Sequence, residues 1–169
     1  MKNKLLSLKK INKHYFSTEY DFEAIKDISF DVYEDEFISI VGPSGCGKST
    51  ILSILADLEN ISSGNIINEK NITFGYMLQD DSLLPWKNVL DNCLLGLKLK
   101  KKLNEENKKY VLELLDKYGL SKFRDKYPLS LSGGMKQRVA LIRTLALKPD
   151  ILLLDEPLSA LDSHTKLKI

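Results

Sequence analysis

The chain has 169 residues, 43% of them apolar and 28% charged, with a net charge of +2. That suits one folded domain with a real core, gives no reason for a nucleic-acid or anionic-membrane partner, and contains no apolar run near the ~20 residues that span a bilayer. Residues 1–13 are polar and basic, so they read as no signal peptide. The two cysteines, Cys46 and Cys93, are too few for a disulfide framework and read as reduced cytoplasmic thiols.

In chain order, Leu5, Leu6 and Leu8 with Ile11 read as a first strand. Ile28, Phe30 and Val32 alternate with Ser29, Asp31 and Tyr33, the pattern of a half-exposed strand. Glu34, Asp35 and Glu36 form a charged turn into a second apolar run, residues 37–41, which reads as a buried strand. The first forty residues are therefore β-rich.

A glycine-rich loop follows: Gly42, Pro43, Ser44, Gly45, Cys46, Gly47, Lys48, Ser49 and Thr50. Residues 51–56 after it read as a helix. Strand, loop and helix are the context that the phosphate-binding pattern G-x-x-x-x-G-K-[ST] requires. Glycines at 42, 45 and 47 allow turns closed to other side chains. Successive N–H groups and the positive end of the helix then face one concavity. Lys48 can reach outer phosphates, and the Ser49 hydroxyl is placed for a divalent cation. An ordinary glycine-rich turn would not need Lys-Ser at that offset after a strand. Cys46 reads as a small residue that fits the loop.

Residues 62–64 read as a turn, and residues 72–78 as a strand ending at Gln79. From Asp80 to Pro128 the character changes. Residues 89–99 and 111–118 carry apolar side chains at helical spacing, and Gly119 is placed to end the second helix. The basic run at 100–102 contains no interleaved aromatic and is followed by acids, so it reads as a solvated linker. Ser132 is a helix N-cap, the apolar helix after it runs through residue 147, and Pro149 stops it. Ser132, Gly133 and Gly134 before this helix make a second candidate anion site. Residues 151–154 read as a buried strand ending in Asp155 and Glu156. Asp155 can hold Mg2+ directly or through water, and Glu156 can orient or deprotonate a water. Residues 159–162 form a turn into a last helix.

These pieces in this order resemble the nucleotide-binding domain of ABC transporters. The phosphate loop is similar to the Walker A motif, residues 131–137 to the LSGGQ signature with Met135 at its fifth position, and residues 151–156 to Walker B with the catalytic glutamate. Gln79 stands at the Q-loop glutamine, Ser159 to Asp162 at the D-loop, and Tyr15 at the adenine-stacking aromatic. The resemblance covers nearly the whole chain. It implies an α/β P-loop NTPase fold of ABC type with an N-terminal antiparallel β subdomain and a helical signature subdomain. The divisions would be residues 1–79, 80–130 and 131–169, without the switch-histidine region.

The resemblance also implies ATP and Mg2+ as cofactors, with Ser49, Gln79 and Asp155 around the metal. It assigns catalysis to Glu156, Gln79 and Lys48, and nucleotide contacts to Tyr15, residues 42–50, Ser132, Gly133, Gly134 and Asp162. The partners it implies are a second ATP-binding subunit paired head to tail, transmembrane permease subunits and a solute-binding protein, at the cytoplasmic face of the cell membrane. Residues 83–92, with Trp86 after Pro85, resemble the branch that imports nitrate, sulfonate or taurine. Two alternatives stand beside this: a nucleotide-binding remnant without turnover, and an ABC-type ATPase that works away from membranes. The short interval between Gln79 and Ser132 favours a transporter over the latter.

Three departures carry expectations. Met135 replaces the usual glutamine. The stretch from Gly64 to Gln79 is short, as if a β-turn were trimmed. The chain stops at Ile169, before the family's switch strand and histidine; His164 is too close to Asp162 to serve, and His14 lies near the N-terminus. In this class the switch strand lies between the Walker A and Walker B strands, so residues 37–41 and 151–154 would each lack a neighbour. Each unpaired buried backbone group costs ~1–3 kcal/mol against a total stability of about 5–15 kcal/mol. Chain 1–169 is expected to be marginal as an isolated domain.

Overall fold

The structure is a computed structural model that describes residues 2–16, 21–68 and 72–157. It divides into two compact units, Met1–Phe74 and Gly75–Ile169.

The first unit is built on a three-stranded antiparallel sheet. β1 (Lys4–Phe16) and β2 (Asp21–Tyr33) form a long hairpin, and β3 (Ser63–Asn68) adds to the other edge of β1. As the central strand, β1 is paired on both edges, and its Leu6, Leu8 and Ile11 are almost wholly buried. At its start, Asp31 accepts from Ser7 and pairs with Lys4. Those contacts, Lys4 first, hold the Asp31 carboxyl below its ordinary range. α1 (Lys48–Leu55) buries Ile51, Ile54 and Leu55.

β3 stands partly where only a turn was expected. Its side chains are mostly exposed, so the ladder to β1 holds it and apolar burial does not. Gly64, at φ +103°, faces the Lys10 carbonyl so closely that any Cβ would collide.

The expected buried strand at 37–41 is not formed. Those residues have no regular structure and are exposed; Phe37 is 90% and Val41 89% accessible. A strand exists by its ladder, and these five residues pair with no strand among the described residues.

The second unit holds a two-stranded sheet, β4 (Phe74–Met77) with β5 (Ile151–Leu154), and three helices: α2 (Val89–Leu99), α3 (Glu105–Lys117) and α4 (Gly133–Leu145). Each helix starts where a side chain takes up a free N–H. Asn88 accepts from Asp91 N at 2.7 Å, Asn104 from Asn107 N at 2.8 Å, and Ser132 from Met135 N at 3.3 Å. Gly119 follows the end of α3 after Tyr118, and its φ of +71° is the left-handed conformation a glycine accepts freely. α4 ends at Leu145, two residues before the expected helix end at residue 147.

The core of this unit joins the three helices. Val89, Cys93 and Leu97 of α2 meet Val111 and Leu115 of α3 and Val139 and Ile142 of α4, with Leu120 and Leu131 closing the ends. The basic run at 100–102 turns between α2 and α3 on the surface, as read from the sequence. β4 passes the end of α4 closely: a Cβ at Gly75 would sit 2.7 Å from Pro149 Cγ and 2.8 Å from Thr144 Cγ2.

Candidate functional site

The predicted site residues fall into two groups, one in each unit. In the first, α1 begins at Lys48, three residues before the predicted start, so Ser49 and Thr50 stand on its first turn. Gly47 precedes it at φ +91°, and a Cβ there would lie 2.5 Å from the Ala24 carbonyl oxygen of β2. Only glycine lets the loop pass β2 in this conformation. Gly45, at φ +78°, turns in open space. The Pro43 carbonyl accepts from Cys46 N at 3.4 Å and from Lys48 Nζ at 2.7 Å, and Gly42 O accepts from Lys48 Nζ at 2.9 Å. Lys48 thus bridges the two arms of its own loop, and Ser44 and Ser49 are exposed.

An open cavity of about 560 Å³ lies between β2 residues 24–30 and the chain from Ser39 to Val41, and takes in Cys46, Gly47, Lys48 and Ile51. Tyr15 is not part of its wall. It sits near the end of β1, 38% accessible.

In the second unit, β4 and β5 end side by side, where Asp155 N donates to Met77 O at 3.0 Å. Three predicted residues meet there. Asp155 is buried, with Tyr76 donating its hydroxyl to Oδ2 at 3.3 Å. Gln79 Nε2 donates to Glu156 Oε2 at 3.0 Å. Glu156 is exposed and has φ +47°, an uncommon conformation for a residue with a Cβ and one that tends to collect at functional sites. A carboxylate tethered by one amide and otherwise open can accept a proton from a water beside it.

At the start of α4, Ser132 caps the helix, and Gly133 and Gly134 open its first turn. Arg138 fixes that end by donating to Gly134 O at 3.3 Å and to Tyr118 O at 2.9 Å. Asp162 of the predicted D-loop, like Ser159 and His164, lies outside the described residues.

Two residues that position the loop after Gln79 were not singled out in the sequence. Asn92 is fully buried on α2. Its Oδ1 accepts from Leu84 N at 2.8 Å, and its amide donates to Leu84 O, Lys87 O and Asn88 O. It therefore holds the loop that displays Trp86, 70% accessible. A polar residue between Val89 and Cys93 on an otherwise apolar face was the available signal. Arg143 of α4 donates to Asp81 O at 2.7 Å and Ser82 O at 2.9 Å, tying the residues after Gln79 to the signature helix. Burial pulls its pKa below the ordinary guanidinium value, opposed by Cys93 and Asp81.

The glycine-rich loop leading into α1 and the paired strand ends of β4 and β5 define an α/β protein of the P-loop nucleotide-binding class. Residues 25–159 match the family described as ABC transporter, and the chain belongs to that family. It is 52% identical over 161 residues to the ABC transporter ATP-binding protein YtlC of Bacillus subtilis (strain 168), a match covering 92% of this chain and 62% of that protein. It is 44% identical over 160 residues to the taurine import ATP-binding protein TauB of Rhizobium johnstonii, covering 90% of this chain and 61% of TauB. Among solved structures it is similar to a dimeric post-hydrolysis state of the ATP-binding cassette MJ0796 bound to ADP and Pi. There the TM-score is 0.85 at 35% identity, over 98% of this chain and 79% of that one. The chain thus spans less than two thirds of the length of either curated relative.

Proposed function

We propose that this chain belongs to the ATP-binding and ATP-hydrolysing subunit that powers an ABC importer of a small solute such as nitrate, sulfonate or taurine. The observation that carries the reading is the meeting of Gln79, Asp155 and Glu156 at the ends of two adjacent strands. Residues 42–50 and Tyr15 would bind the triphosphate and base of ATP. The likeness to TauB and the Trp86 segment support the solute class, and the dimeric cassette supports a pair of such subunits.

The residues fit a hard divalent cation. Asp155 and the Ser49 hydroxyl offer oxygen ligands, and no cluster of three or more His, Cys, Asp or Glu exists among the described residues to build an all-protein cage. Mg2+ is commonly held by one or two protein oxygens plus substrate phosphates. Ser49, Gln79 and Asp155 would hold it, where it would neutralise charge on the phosphates. Lys48 would leave the carbonyls of Gly42 and Pro43 for the outer phosphates, and Glu156 would take the proton of the attacking water. Ser132, Gly133 and Gly134 of a second copy, paired head to tail, would supply N–H donors to the same γ-phosphate. Transfer to water asks for positioning and charge neutralisation more than for covalent chemistry. No described helix is long and apolar enough to cross a membrane. Membrane coupling would run through permease subunits docked near Trp86, at the cytoplasmic face.

In the whole protein with its permease, Glu156→Gln is expected to keep ATP binding and lower turnover by about 10²- to 10⁴-fold, the usual share of a general base. Equal turnover in mutant and wild type would remove Glu156 from this role.

A further inference from the structure

Lys13 is a buried lysine that the family motifs do not use. Its side chain is 11% accessible. Nζ donates to Glu59 Oε2 at 2.8 Å and to Asn60 O at 2.7 Å, and it lies 4.7 Å from the centre of the Tyr15 ring. Lys13 and Tyr15 are two apart on β1 and so share a face of the strand. Glu59 and Asn60 belong to the loop between α1 and β3. One ammonium group therefore joins the aromatic ring to the segment that leaves the phosphate-binding helix.

We infer that Lys13 is a positioning and specificity residue for the nucleotide base: its buried ammonium pins the Tyr15 ring and draws electron density from it, so that the accessible side of the ring stacks on an electron-rich purine. This rests on the reading of Tyr15 and residues 42–50 as an ATP site. Burying a lysine is costly unless it is paired and hydrogen-bonded. Glu59 and Asn60 meet that cost, but they do not explain why the cation lies over an aromatic ring. A cation over a tyrosine face is attracted by the ring quadrupole, which fixes ring orientation without filling the ring's other side. Tyr15 keeps 38% of its surface accessible, so a stacking face is available.

The test is nucleotide binding by the whole protein, with ATP and inorganic tripolyphosphate as separate probes, in wild type, Lys13→Met and Lys13→Arg. The expected result is a Kd for ATP raised about three- to ten-fold in Lys13→Met, restored largely by Lys13→Arg, with tripolyphosphate binding unchanged. In a Tyr15→Ala background, Lys13→Met should add little further loss. Equal weakening of ATP and tripolyphosphate, or unchanged ATP binding, would overturn the inference while leaving the ATP site standing. Wild-type protein that binds neither probe would overturn the ATP-site reading itself.

Discussion

Residues 37–41 and β5 are two short apolar runs, each leading into a polar loop, and they are in opposite states. Ile151–Leu154 lies against β4, buries Leu153, and holds Asp155 where Tyr76 can reach it. Residues 37–41 are exposed, with no ladder among the described residues, although Phe37, Ile38, Ile40 and Val41 are no less apolar. An apolar run records that a segment must be covered; which strand covers it is decided by what lies alongside. The functional loops differ accordingly. Gln79 and Glu156 meet through a side-chain hydrogen bond on a paired base, whereas residues 42–47 are secured at their far end, where Gly47 passes β2.

The largest expected contrast is in stability. In chain 1–169, Leu153→Ala should cost about 2–5 kcal/mol, the range for a buried leucine, and Val41→Ala no more than about 0.5 kcal/mol, as for an exposed site. Chemical denaturation of the two variants reads both. Equal losses would mean that residues 37–41 are covered as β5 is.

A smaller effect tests where the ordered part of the first loop begins. Gly47→Ala places a Cβ against the Ala24 carbonyl at a positive φ, and strain of that kind costs of order 1–3 kcal/mol. A loss in that range beside a silent Val41→Ala would put the boundary between residues 41 and 47. A silent Gly47→Ala would extend the loose segment into the phosphate loop.

What could be read in the sequence follows the same division. α2 spans the predicted residues 89–99, β5 the predicted 151–154, and Ser132 and Gly119 act as the caps their residue types suggest, because period and capping are local properties. β3 was not legible, since SGNIIN carries no burial pattern and is held by its partner β1. The state of 37–41 was misread for the converse reason: its pattern is strong, and no described strand pairs with it. Asn92 and Lys13 escaped notice because their roles depend on backbone carbonyls brought near by the fold, and no spacing encodes those. Gln79 and Glu156, 77 positions apart, meet because β4 and β5 pair, which neither composition nor spacing encodes.

The two cysteines carry the contrast into chemistry at the least cost in free energy. Cys46 is exposed in the phosphate loop, with Lys48 Nζ 3.8 Å away. Cys93 is buried between α2 and α4, its Sγ 3.9 Å from Val139 O, and burial pushes its thiol up to about 12. Near neutral pH a thiol-specific reagent should therefore modify one cysteine in the folded chain and the second only on unfolding, because the thiolate is the reacting form. The same shift sets a pH window. An unfolded chain releases the Cys93 proton near 9.0, while the folded chain keeps it to about 12. The contribution is complete below pH 9 and is lost as pH rises toward 12, so Cys93→Ala should flatten that alkaline fall, on top of a pH-independent loss from the cavity it leaves in the core. Two thiols reacting at one rate in the folded chain would mean that the packing of α2 on α4 is as open as residues 37–47, and the difference between the two regions would disappear.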